Sequence, residues 1–405
     1  MVDGEKFYSE LGKSYEPGII TQVVLKAFEM AKQGKKLISL TGGMYDPPSL
    51  PHGEVKKVLS DASVEDWRDM LQYGGTAGAI GLRKELSEFM AAHGITADPN
   101  GEIIITTGSQ QALDLVSRVF LDPGDVIVVG APTYLSALGA FRQFNPEFRS
   151  VAIDGDGMDI DALEAELREV ESEGKWAKFV YLVPSFQNPT STMLTMERRE
   201  RIVELAEEYD FLIFEDNPYG YISFEGDMPT PIRGLDETGR VMYTSTFSKI
   251  VSPGMRIGWL VAPKPFITKM SEAKSNSSIC NDGITQYIAQ KLFENGDVAR
   301  QIPKVTEVYR RKRDLMLETM ETSFPGEAEW NNPKGGLFLW VKMPEHVNTT
   351  EILMESVENG VAYIPGSNFF DEPVHNYIRL NYSYPSEPDI VEGISTLGKL
   401  LKSKI

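Results

Sequence analysis

The sequence predicts an α/β protein with a mostly parallel sheet, joined to a smaller α+β unit. Three observations carry that expectation. Short β-branched, apolar runs bounded by turn residues recur along the chain, as in strands buried on both faces. From about residue 70 these runs alternate with stretches of helical periodicity, the pattern of strands linked by crossover helices. After about residue 295 the alternation stops, and a long charged helix leads into isolated strands.

The first forty residues read as an arm and a short helix, TQVVLKAFEMAKQG, closed by Gly34. EIIIT (102–106) precedes the helical SQQALDLVSRVF, and DVIVV (125–129) precedes TYLSALGAFRQF. FVYLV (179–183) is followed by TMERRERIVELAEEY and then by FLIFE (211–215). VMYTS (241–245) and IGWLV (257–261) are further short runs. VTEVYRRKRDLMLETMETS is the long charged helix, and GGLFLWVKM and YIRLNYS are two strands beyond it. The expected division is an N-terminal arm with part of the small domain over 1–45, a large domain over 46–295 and a small α+β domain over 296–405. A length of 405 residues exceeds one ordinary core and fits two domains.

Composition narrows the function. Hydrophobic residues at 41% and charged residues at 24% fit a globular chain. Forty basic against fifty-nine acidic residues give a net charge of −19, which repels nucleic acid. Cys280 is the one cysteine, so there is no intrachain disulfide and no cysteine-only metal site. The four histidines (52, 93, 346 and 375) have no H-E-x-x-H spacing, so no metal is expected. The polar, acidic N-terminus is no signal peptide, and no apolar run reaches membrane-spanning length. A cytoplasmic location is expected.

Ligands of open α/β sheets bind beyond the carboxyl ends of the strands. Ser109 and Gln110 open a helix after EIIIT, Tyr134 comes after DVIVV, and Asn188 after FVYLV. Asp216 and Tyr219 come after FLIFE, Lys249 after VMYTS, and Arg256 opens the next strand. Singly, each has an ordinary structural reading: Ser109 as a cap, Asp216 in a turn, Tyr134 as packing, Lys249 as a solvated lysine. Together, at five successive strand ends, they form a complementary set. Thr246, Ser248, Arg256 and the Ser109–Gln110 helix start make a phosphate cradle. No G-x-x-x-x-G-K-[ST] is present, which argues against a nucleotide P-loop, and the glycine-rich 74–81 stretch comes after no strand. A phosphate ligand that also requires a lysine, a carboxylate and a flat aromatic neighbour points to pyridoxal 5′-phosphate. Lysine condenses with its aldehyde, and a carboxylate keeps its ring nitrogen protonated.

Nearly the whole chain resembles the fold-type I pyridoxal-phosphate aminotransferases of class I/II. The blocks ISLTGGMYDPPSLP, LQYGGTAG, TTGSQQALDL, PTY, PSFQNPT, EDNPYG, TFSKIVSPGMRIGW, GGLFLWVKMP, PGSNFF and YIRLNYS occur in the family's order. The similarity is strongest to the branch with kynurenine/2-aminoadipate and archaeal aromatic aminotransferases. The resemblance implies a seven-stranded sheet sandwiched by helices. It also implies an amino-group transfer between amino acid and 2-oxo acid in ping-pong fashion, with 2-oxoglutarate the usual acceptor.

By the same resemblance, Lys249 carries the cofactor and shuttles the proton, and Asp216 pairs with the ring nitrogen. Tyr219 and Asn188 bond the phenolic oxygen, and Tyr134 stacks on the ring. Ser109, Gln110, Thr246, Ser248 and Arg256 hold the phosphate. Arg379 grips the substrate carboxylate with Asn188, and Gly43 and Tyr73 line the site. Tyr73 reaches in from a second subunit, which makes a homodimer with shared sites.

Three departures stand out. Ser191 replaces the glycine of N-P-T-G, and Gly81-Leu82 stands where a proline is common. Ile19-Ile20-Thr21 occupies the place where some relatives carry an arginine for an acidic side chain. The last favours aromatic or large aliphatic donors over 2-aminoadipate. A β-lyase of the same fold shares the cofactor set. A sensor domain behind a DNA-binding arm would need more than the forty residues before the first block.

Overall fold

The computed structural model describes residues 5–15, 18–32, 34–226, 228–372 and 374–405. A two-residue strand, β1 (Ile38–Ser39), precedes the large sheet. That sheet takes its strands from the middle of the chain: β2 (Ile103–Thr106), β3 (Val126–Ala131), β4 (Glu147–Asp154), β5 (Gly157–Met158), β6 (Ala177–Leu182), β7 (Leu212–Asp216), β8 (Val241–Thr246) and β9 (Gly258–Val261). Their order across the sheet is β2-β9-β8-β7-β6-β3-β4-β5. The run from β4 through β3, β6 and β7 to β8 is parallel throughout. β9 is antiparallel to both β8 and β2, and β5 is antiparallel to β4. The sheet is therefore mostly parallel, as expected, and β5 adds a short edge strand to the seven that the resemblance implies.

The continuous apolar runs have a direct cause. Successive residues of a strand point to opposite faces, and here both faces are covered. On β3, Ile127 and Val129 join one core while Val128 joins another; on β6, Phe179 and Tyr181 divide from Val180 in the same way. The first core includes the helix Ser109–Phe120, and the second includes Ile160–Ser172 and Met196–Glu208. β4 was not visible in the sequence because it lies near the sheet edge and is only partly covered, so EFRSVAID keeps polar residues.

The later part of the chain builds a four-stranded antiparallel sheet, in the order β10-β11-β14-β13. Its members are β10 (Glu329–Trp330), β11 (Phe338–Lys342), β13 (Ile364–Pro365) and β14 (Tyr377–Asn381). The sequence predicted only β11 and β14; the other two are two residues each, too short to show a period. The 27-residue helix Asp297–Ser323 packs on Glu387–Lys402. β12 (Val361–Ala362) pairs in parallel with β1, tying the early segment to the late one. The predicted first helix spans Ile19–Lys32; Gln33 lies outside the described residues, and Gly34 has φ +71°. No helix among the described residues is long and apolar enough to cross a membrane.

Topology places the site. β2, β3, β6, β7 and β8 end on one rim. β9, running the other way, begins there, and its Gly258 pairs with both Thr106 and Thr246.

Candidate active site

At one corner of the rim, β2 gives way to the helix Ser109–Phe120 through a glycine turn. Gly108 is the N-cap residue, at φ +70° and without a side-chain cap, and Ser109 is the first helical residue. The cap reading of Ser109 therefore does not hold. A Cβ on Gly108 would lie 2.5 Å from Arg256 Nη2, and one on Gly258 would lie 2.6 Å from the Gly108 carbonyl carbon. Only glycine permits these approaches. Arg256, itself left-handed at φ +52°, donates to Thr107 O at 3.2 Å and to Pro253 O at 3.4 Å. Thr246 Oγ1 lies 3.0 Å from Ser248 Oγ and accepts from Ser248 N at 3.2 Å. Gln110 reaches Ser136 O at 3.4 Å. A helix start, a guanidinium and two hydroxyls thus meet at one place, the chemistry of an anion site.

Beside this corner Lys249 donates to Gly43 O at 2.7 Å. Burial first, then Arg379 and Arg256, pull its ammonium down to about 8, against a smaller opposing pull from Asp216. A Cβ on Gly43 would stand 2.9 Å from Phe338 and 3.3 Å from Lys249 Nζ. Asp216, at the end of β7, accepts from the Tyr181 hydroxyl at 2.8 Å through Oδ2. Its Oδ1 is buried with no hydrogen-bond partner. Burial raises the Asp216 carboxyl to about 7, although Tyr181 and Lys249 both lower it. Tyr219 accepts from Asn188 Nδ2 at 3.3 Å, and burial pushes its phenol up. The buried Tyr134 phenol moves the same way.

Arg379 stands on β14, across the cavity from the large sheet. It donates to Asn188 Oδ1 at 2.9 Å and to Thr41 O at 2.5 Å. Its guanidinium lies 4.1 Å from the Phe338 ring centre and 4.8 Å from that of Phe369. Nε is buried without a partner, and burial lowers the group to about 10.

These side chains surround a cavity of about 300 Å³. Every residue singled out in the sequence lines it except Tyr73, which is 79% exposed. Sequence reasoning missed Tyr181 and Phe338. Tyr181 left a signal: a tyrosine in the apolar run FVYLV needs a hydroxyl partner when buried, and that partner is Asp216. Phe338 left none, because its place depends on how two sheets meet.

The model of the family "aminotransferase class I and II" matches residues 35–397. The chain belongs to that family. The aromatic-amino-acid aminotransferase 1 of Thermococcus litoralis is 42% identical over 405 residues, covering 100% of this chain and 96% of that one. Among solved structures, the kynurenine aminotransferase of Pyrococcus horikoshii, in complex with PMP, superposes with a TM-score of 0.94 at 39% identity, covering 100% and 98%. A multiple substrate aminotransferase from Thermococcus profundus does so at 0.93 and 40%, covering 100% and 99%.

The aminotransferase uses pyridoxal 5′-phosphate, and its residues fit that group. The glycine-lined corner suits a phosphate, the unpartnered Asp216 Oδ1 suits a ring N–H, and the buried Lys249 amine lies within the same cavity.

Proposed function

We propose that this aminotransferase takes its amino group from an aromatic or large aliphatic L-amino acid and passes it to a 2-oxo acid such as 2-oxoglutarate. The observation that carries the donor class is the set of cations around the cavity. Among its lining residues these are Lys249, Arg256 and Arg379. Each serves a group that every substrate and the cofactor share, so none is dedicated to a distal carboxylate: an acidic donor gains nothing over an apolar one, and 2-oxoglutarate would be held through its shared 2-oxo acid end. Apolar walls at Phe338, Val183 and Leu135 complete the lining.

When bound, the cofactor supplies an electron sink for the substrate α-carbon. Ser109, Gln110, Thr246, Ser248 and Arg256 would hold its phosphate, Tyr134 its ring face, and Tyr219 with Asn188 its phenolic oxygen. Asp216 would keep its ring nitrogen protonated. Lys249 would anchor it and, once freed, take the α-proton on Nζ and return it. An amine pulled down to about 8 by burial is partly neutral near neutral pH, as a general base requires. Arg379 orients the substrate carboxylate through its planar fork, backed by Asn188. The two half-reactions run in turn, a ping-pong scheme.

We further propose a cytoplasmic homodimer in which Tyr73 completes the partner's site. Val64, Leu71, Tyr73 and Ile80 expose 70%, 72%, 79% and 42% of their surface along one segment, which supports a protein contact there. The division at 46–295 and 296–405 is proposed on the same footing, since the helix from Asp297 opens the second sheet's unit.

A panel of amino donors with 2-oxoglutarate tests the donor class. Aromatic donors and leucine should exceed 2-aminoadipate and aspartate in kcat/KM by about tenfold or more. A preference for 2-aminoadipate would reverse the assignment.

A further inference from the structure

Lys274 takes no part in the chemistry above, yet it is fully buried in the last turn of the helix Lys264–Ser277. No carboxylate among the described residues pairs with it. Its three donors go instead to Thr76 O at 2.6 Å, Ile105 O at 2.7 Å and Asn281 Oδ1. That saturates an ammonium. The acceptors lie on three separate segments: the loop after Tyr73, the end of β2, and the connection after the helix. Asn281 Nδ2 in turn donates to Thr107 Oγ1 at 3.0 Å, and Thr107 O accepts from Arg256 at 3.2 Å. Burial pulls the Lys274 ammonium down to about 8.

A buried cation is costly even among good acceptors, and methionine would fill such a space without that cost. Packing alone does not account for a lysine here. The ammonium is bonded to Ile105 O and, through Asn281, to Thr107, just before the Ser109 helix start, and neither Lys274 nor Asn281 lines the cavity.

We propose that Lys274 is a positioning residue for the cofactor phosphate: through Asn281 and Thr107 it fixes the turn Thr106–Ser109, and with it the Arg256 guanidinium and the helix start. The inference rests on reading that corner as the phosphate cradle. The charge enforces a geometry that neutral residues would leave loose, because an ammonium orients three carbonyl-type oxygens at once.

Holoenzyme stripped of cofactor and titrated with pyridoxal phosphate, and separately with pyridoxal, tests it. Pyridoxal lacks the phosphate. Lys274→Met should weaken pyridoxal phosphate binding by roughly ten- to a hundredfold, the scale of a lost charge-assisted hydrogen bond, while pyridoxal binding stays within about twofold. If Lys274→Met does not fold, Asn281→Ala decides, since it cuts only the link to Thr107. A several-fold loss confined to the phosphorylated ligand is expected there. Unchanged affinity, or equal losses for both ligands, overturns the proposal. If the unsubstituted chain does not prefer pyridoxal phosphate to pyridoxal, the cradle reading itself falls, which is a distinguishable result.

Discussion

In its proposed role as partner of the cofactor ring nitrogen, Asp216 would trade stability for chemistry. Its carboxyl is buried, Oδ1 has no partner, and burial raises it to about 7. A folded-state value above the unfolded one means that the folded protein holds the proton more tightly. The resulting stability is fully present below about pH 4 and is lost as pH rises through about 7. Asparagine carries no charge to desolvate. Ligand-free Asp216→Asn should therefore melt roughly 2 °C or more above wild type at pH 8. The margin should shrink toward pH 5. Calorimetry of the two stripped proteins at both values checks this, and an equal margin at both would contradict a desolvated carboxylate as the cause. The aspartate was legible in the sequence as part of E-D-N-P-Y-G. Its unpartnered oxygen was not, because that depends on Tyr181, which stands 35 residues away in the chain.

At the scale of the element, the turn after Asn188 accommodates the departure noted at Ser191. The residue sits in the left-handed region at φ +55°, where a side chain is strained. Its hydroxyl donates to Phe338 O at 2.8 Å, bridging the large sheet's rim to β11. Ser191→Gly removes both the strain and the bond, so its stability should stay within about 1 kcal/mol of wild type. Ser191→Ala keeps the strain and loses the bond, and should cost about 1–2 kcal/mol by chemical denaturation. An alanine variant as stable as wild type would show that the bridge contributes nothing, and one as stable as the glycine variant would show that the left-handed backbone carries no strain. The other elements divide by length. Strands of four to six buried residues announced themselves, while two-residue strands and the partly exposed β4 did not. A period needs several residues to be seen, and an edge strand mixes polar with apolar positions.

For the whole molecule, the exposed segment from Val64 to Ile80 is the surface that the proposed dimer would cover. Val64→Glu with Leu71→Glu should shift the protein toward monomer in sedimentation velocity and lower cofactor retention, since Tyr73 would no longer reach a partner's site. A variant that remains dimeric with full retention would move the interface elsewhere. Residue types and strand-end spacing pointed to the α/β class, the cofactor and most of the polar lining residues at the strand ends, because each motif is local and its chemistry resides in the few residues just past its own strand; Gly43 and Arg379 came only through the family resemblance. Tertiary structure alone decided the rest: Phe338 against Arg379, Tyr181 bonded to Asp216, and Lys274 bonded to Ile105 and Asn281. Those partners come from strands and helices far apart in the chain. Local periodicity holds no record of which distant surfaces will be pressed together when both faces of a sheet must be covered.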